Sequence, residues 1–197
     1  MNYGFLVGLL MLGGLPSAMA QLEVSGDTLN NCGQIDALRK AGNFTEARDK
    51  ARLCLDALEQ EVTGAVGKQF PADVAGWKRT GLEQGQALGF SNISATYEKG
   101  DSTATVSLTG GAGGGDTGLG GLLGGFARAG VLGSGQQVRV AGLPASVMPD
   151  GTITVTLEDG SFLGFSSPQF DTAESALAGI GDLVNAFPVA AINQMLK

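Results

Sequence analysis

The chain reads as an α+β protein: an N-terminal disulfide-stapled helical hairpin followed by an antiparallel β-sheet covered on one face by a C-terminal helix. Three observations predict this. Apolar residues between Asp27 and Glu61 recur at helical spacing with one break in the middle. Those between Ile93 and Phe165 alternate with serine and threonine at the period of a strand, and a helical stripe returns from Ala173 to Phe187. The expected organisation is a signal peptide over residues 1–20, the hairpin over 21–66, and an α+β domain over 67–197 with a glycine-rich insertion over 110–135.

The first element is a targeting segment. Phe5 to Leu15 is an uncharged apolar run, Pro16 breaks it, and Ala18-Met19-Ala20 has the small-x-small pattern that signal peptidase accepts, leaving Gln21 as the new terminus. The run is about half the roughly 20 apolar residues that a membrane-spanning helix needs. A cleaved secretory signal, a periplasmic or secreted product and no stable span after cleavage are therefore expected. Met1 to Gly4 depart from the usual pattern in carrying no Lys or Arg.

Within the hairpin, Leu29, Cys32, Ile35 and Leu38 mark one helix, and Ala41-Gly42-Asn43 stops it, with Gly42 suited to a left-handed cap. Phe44, Ala47, Ala51, Cys54, Leu55 and Leu58 form the apolar face of a second helix, started by a cap at Asn43 or Thr45. An antiparallel hairpin folded about residue 43 brings together positions whose numbers sum to about 86, as those of Cys32 and Cys54 do. These are the only cysteines, and in an exported chain they form one disulfide. The run from Ala41 to Leu58 resembles one tetratricopeptide-type hairpin. A single such unit cannot bury its face by stacking, so it is expected to dock on the rest of the chain, with peptide binding through the hairpin as the functional alternative.

Thr63 to Phe70 reads as a joint, and Pro71 opens the β-rich body. Trp77 to Leu82 is the first strand. Ile93, Ala95 and Tyr97, then Ala104, Val106 and Leu108, build a hairpin turned at Lys99-Gly100-Asp101. Val138 and Val140 lie in a further strand, and Ala145 to Met148 in another. Ile153, Val155 and Leu157 alternate with Thr152, Thr154 and Thr156 between turns at Pro149-Asp150-Gly151 and Asp159-Gly160. Asp-Gly between alternating runs is a strong hairpin signal, so Ser161 to Phe165 pairs back on it, giving a meander with a wet threonine face. The opposite face needs a cover. Ala173, Ala176, Leu177, Ile180, Val184 and Phe187 supply it from a cap at Asp171 or Thr172; Pro188 kinks or restarts the helix, and Ile192, Met195 and Leu196 continue it.

Thirteen of the 33 glycines fall between Gly110 and Gly135. Gly113-x-Gly115-x-x-Gly118 matches a dinucleotide fingerprint, but the strand before it reads as antiparallel and no parallel strand ending in a ribose-binding acid follows. Gly110 to Thr117 mimics a phosphate loop except that Asp116 stands where the lysine must be, and its charge would repel phosphate. Leu119, Leu122, Leu123, Phe126 and Ala129 have helical spacing. Leu119, Leu122, Leu123 and Phe126 are thus candidate contacts to an apolar ligand or a partner, or else pack on the sheet.

Composition excludes much chemistry. No histidine is present, so activation of serine or cysteine by imidazole is ruled out, as is a conventional zinc site. The net charge of −7 opposes binding to nucleic acid. Eight of the twelve basic residues lie between Arg39 and Arg79, leaving the C-terminal half acidic. No carboxylate pair stands out: Glu158-Asp159 lies in a turn, and Glu46, Asp49, Asp56 and Glu59 fit an exposed helix face. Trp77 and Tyr97 read as core. No catalytic, metal or cofactor residue is assigned. The order of parts, with FPADVAGW (70–77) as its local motif, resembles small exported proteobacterial proteins of unassigned role. The layout is similar to Mog1/PsbP-like sandwiches, which mostly act as accessory factors. Fold analogy does not carry function. With the chemistry excluded above, the expected role is a non-enzymatic periplasmic or secreted accessory or binding protein of the cell envelope, whose partner is an envelope protein or an apolar ligand. A lipid carrier using the glycine tract and a carboxylate-dependent hydrolase are the competing readings.

Overall fold

The computed structural model describes residues 26–87, 90–110 and 135–197. The expected signal peptide and the interior of the glycine tract lie outside the described residues.

The hairpin forms as α1 (Gly26–Lys40) and α2 (Phe44–Gly67). Gly42 adopts φ +80°, and the N–H groups of Ala41, Gly42 and Asn43 bond back to the carbonyls of Ala37, Arg39 and Leu38 at 3.0, 3.2 and 3.0 Å. This closes α1 as a left-handed cap should. The N-terminal cap of α2 is Asn43, without a side-chain bond to the helix. One difference bears on function. α2 does not stop at Glu61 but takes in most of the expected joint, and Val66 and Phe70 at and beyond its end are buried in the main core. Burial of these two side chains outweighs the helix-weakening Gly64 and Gly67, each worth about 1 kcal/mol relative to alanine.

Eight strands then build one antiparallel sheet: β1 (Asp73–Val74), β2 (Trp77–Ala87), β3 (Phe90–Lys99), β4 (Ser102–Gly110), β5 (Gln136–Val140), β6 (Leu143–Val147), β7 (Ile153–Thr156) and β8 (Phe162–Ser166). Their spatial order is β1-β2-β3-β4-β8-β7-β6-β5. Two four-stranded meanders thus lie side by side, joined through their last strands. A rotation of half a turn about the β4–β8 seam carries one order into the other. The first hairpins of the two meanders share a turn as well: Val74-Ala75-Gly76-Trp77 and Val140-Ala141-Gly142-Leu143 both place alanine and glycine at positive φ.

The register explains the alternation read in the sequence. Leu82, Ala95, Val106, Phe165, Ile153 and Val147 lie in one row across six strands on the inner face. The outer row one step along is Glu83, Ser94, Ser107, Gly164, Thr154, Ser146 and Gln137. Its threonine and serine side chains are half-buried, and Ser146 is fully buried, so this face is less open than its polarity implies.

The C-terminal cover is α3 (Ala173–Ala186) and α4 (Val189–Met195). Thr172 caps α3 and forms a reciprocal box with Ser175. Pro188 both ends the first helix and starts the second, bending the pair by 54°. The bend wraps the two around the sheet, burying Ala176, Ile180, Leu183, Val184, Phe187, Val189 and Ile192. Phe187 sits at the centre, edge-to-face with Phe70, Tyr97 and Phe165 at 5.3, 6.1 and 5.4 Å between ring centres. Among the described residues no single helix is long and apolar enough to cross a membrane.

Candidate interaction surface

Only the root of α2 is held by the body: Thr63, Val66 and Gly67 are buried there, while toward the tip Ala47 alone is. The rest, with α1 beside it, forms an arm. Cys32 and Cys54 are bonded across it with a Cα–Cα separation of 5.0 Å. The sequence spacing had paired them, and the bond is compatible with an oxidising, periplasmic or secreted location.

The apolar face expected on α2 is divided by the structure. Ala47 is buried and Cys54 turns toward α1, but Phe44 is 68% exposed, Leu55 54% and Leu58 37%. A single neighbouring helix covers one side of a stripe this wide, and α1 lies on the cysteine side. At 100° per residue, Phe44, Ala51, Leu55 and Val62 stand within 20° of one line along α2. Leu53, 51% exposed, projects from the opposite side.

Charges border this line. Arg48 and Arg52 flank its tip half, and Asp56 and Glu59 its root half. Arg48 pairs with its neighbour Asp49 at 3.3 Å with both side chains in solvent, a contact worth little. Lys50 donates to Asn31 at 3.2 Å across the hairpin. Glu59 is half-buried, and desolvation, then the negative charge of Asp56, push its pKa above the ordinary value. Among the described residues no ion pair engages Arg52, Asp56 or Glu59.

The other sequence-derived candidates fall elsewhere. Leu119, Leu122, Leu123 and Phe126 lie outside the described residues. Glu158 pairs with Lys197, whereas Asp159 accepts bonds from its own turn at Ser161, so the two acids are committed to different partners. Trp77 and Tyr97 are core residues, 1% and 0% exposed. No group of three or more metal-binding side chains occurs among the described residues.

One polar cluster was not legible in the sequence. Trp77 Nε1 donates to Asp182 Oδ1 at 3.1 Å, and Lys99 Nζ bonds both Asp182 Oδ2 and the Ala75 carbonyl. Lys99 also lies 5.9 Å from the Trp77 ring centre. Burial opposes the charge on Asp182, but the bonds from Lys99, Trp77 and the Leu183 N–H outweigh it and hold the carboxyl below its ordinary pKa. The cluster fastens α3 to the β1–β2 turn and the end of β3. It gives the tryptophan of the FPADVAGW motif its polar partner, while Phe70 of the same motif packs edge-to-face on Phe187 and the Tyr97 hydroxyl donates to the Pro71 carbonyl at 3.0 Å.

Comparison with family models, with curated proteins and with solved structures finds no match.

Proposed function

We propose that this is a non-enzymatic, exported accessory or binding protein of the cell envelope, and that it works by protein contact through the α1–α2 arm. One observation carries the reading. A disulfide-stapled helical arm stands off a well-packed body and holds Phe44, Leu53, Leu55 and Leu58 in solvent. Four large apolar side chains on one short arm incur a hydration cost that contact with a partner removes, each worth roughly 1.5–3 kcal/mol when fully buried. The staple supports this use. A pre-ordered arm loses less conformational entropy on binding than a flexible one. The expected signal segment and the disulfide together favour the periplasm or the exterior as the place of work.

A photoreactive residue placed at Leu55 tests the reading in intact envelopes. Adducts are expected from positions 44, 53 and 55, and none from Ser166 on the outer face of the sheet. Failure of all three arm positions to give an adduct would remove the arm from function.

A further inference from the structure

The stripe along α2 is self-complementary. In an antiparallel pair of α2 helices related by a two-fold axis at residue 53, positions whose numbers sum to 106 face each other. Ala51 then meets Leu55 of the other copy, small against large, and does so twice. Phe44 at the free tip comes opposite the half-buried Val62, whose other side packs on the main core, so that this end of the contact lies where the root of α2 meets the body, also twice. A two-fold axis across antiparallel helices sets like edges side by side. The charged edge of one helix therefore runs along the charged edge of the other in reverse order. Arg48 comes within one residue of Glu59 and Arg52 lies close to Asp56; among the described residues, Arg52, Asp56 and Glu59 make no ion pair within their own copy.

We propose that the occupant of this stripe is a second copy of the chain, docked antiparallel along α2. The inference rests on reading the arm as a contact surface and goes further by naming what it contacts. The order of charges argues for self-pairing over a generic apolar partner. Bases at the tip and acids at the root match each other under the same symmetry that matches Ala51 to Leu55. The alternating small and large residues allow the close approach that ridge-into-groove contact between helices requires.

Sedimentation velocity on the purified chain over a wide concentration range tests this. A concentration-dependent dimer is expected. Leu55→Asp should abolish it while leaving the far-ultraviolet circular dichroism unchanged, since Leu55 is already in solvent. Arg48→Glu alone should weaken the dimer about tenfold, because two like-charge contacts replace two attractive ones. Adding Glu59→Arg should restore it. A photoreactive residue at Ala51 in a mixture of isotopically light and heavy chains should give light–heavy adducts at Leu55. A monomer at every concentration, a dimer indifferent to Leu55→Asp, or adducts confined to one copy would each overturn self-pairing. If the pure chain stays monomeric while Leu55 crosslinks another protein in envelopes, self-pairing fails and the arm keeps its role. If neither species forms, both readings fail.

Discussion

Ala75 and Ala141 occupy the same place in two hairpins, with φ of 51° and 50°, each followed by a glycine at 82°. Two successive positive φ values make the tight turn that suits the twist of paired strands, and asparagine tolerates the first position better than alanine does. Ala75→Asn and Ala141→Asn should each stabilise the chain by up to about 1 kcal/mol, read as a higher urea midpoint. Gly179 poses the opposite case. It lies in α3, where alanine would ordinarily gain about 1 kcal/mol. A Cβ there would run into the ring of Phe170, which lies flat on the helix. Overpacking of this kind costs about 1–3 kcal/mol, so Gly179→Ala should destabilise despite its better propensity. A melting temperature above that of the parent would show that the ring moves aside freely. The two kinds of glycine differ in legibility. Gly42, Gly100 and Gly160 are readable because a break in apolar period surrounds each. Gly179 is not, since only the fold brings Phe170 to it, and Lys99 meets Asp182 through contacts 83 residues apart for the same reason.

Among the elements, α1 depends most on its neighbours. It has fifteen residues, includes Asn30, Asn31 and Gly33, and a helix of that length is marginal in water on its own. Its half-buried Ile35 and Leu38 and the Cys32–Cys54 bond hold it to α2. By the chain-entropy account, closing a loop of this size contributes roughly 3 kcal/mol. Reduction should therefore loosen α1 and the tip of α2, while the root of α2, anchored by Val66 and Phe70, stays folded. The expected readout is a loss of helical signal at a temperature well below the sheet transition, with that transition unmoved. A single joint transition, lowered as a whole, would mean that the arm and body unfold together. Periodicity and cysteine spacing revealed this arm. They did not reveal where α2 ends or which apolar residues stay in solvent, because helical spacing reports a face and not what covers it. The mixed fate of the stripe, with Ala47 inside and Phe44 and Leu55 outside, is decided by the single helix that α1 provides.

At the scale of the whole molecule, the two meanders enclose one core under α3 and α4, and that core sets the response to pH. Two groups mark its limits. Asp182 has a folded pKa below its ordinary 3.8, so its contribution is present above that value and is lost as pH falls through the folded one. With the side chain 45% exposed, the acid limb it produces is shallow. Tyr97 acts at the other end. Desolvation in the core pushes its phenol up from 10 to about 12, with Arg79 only partly opposing. A raised folded pKa means that the stabilisation is complete below pH 10 and is lost as pH rises from there toward about 12. A shift of this size corresponds to roughly 2–3 kcal/mol. No histidine titrates between these limits, so stability should be nearly level from about pH 5 to about pH 9. Tyr97→Phe separates the phenol from every other alkaline effect. It removes the bond to the Pro71 carbonyl, costing about 1 kcal/mol at neutral pH, and it removes the titration. The parent should thus start more stable, lose its lead between pH 10 and about 11, and fall below Tyr97→Phe toward pH 12, so that the two urea-midpoint curves cross. Tyr97 ionising near pH 10 in the folded chain, with curves that stay parallel, would mean that water reaches the phenol and that the seam between FPADVAGW and the sheet is looser than its buried aromatic contacts require.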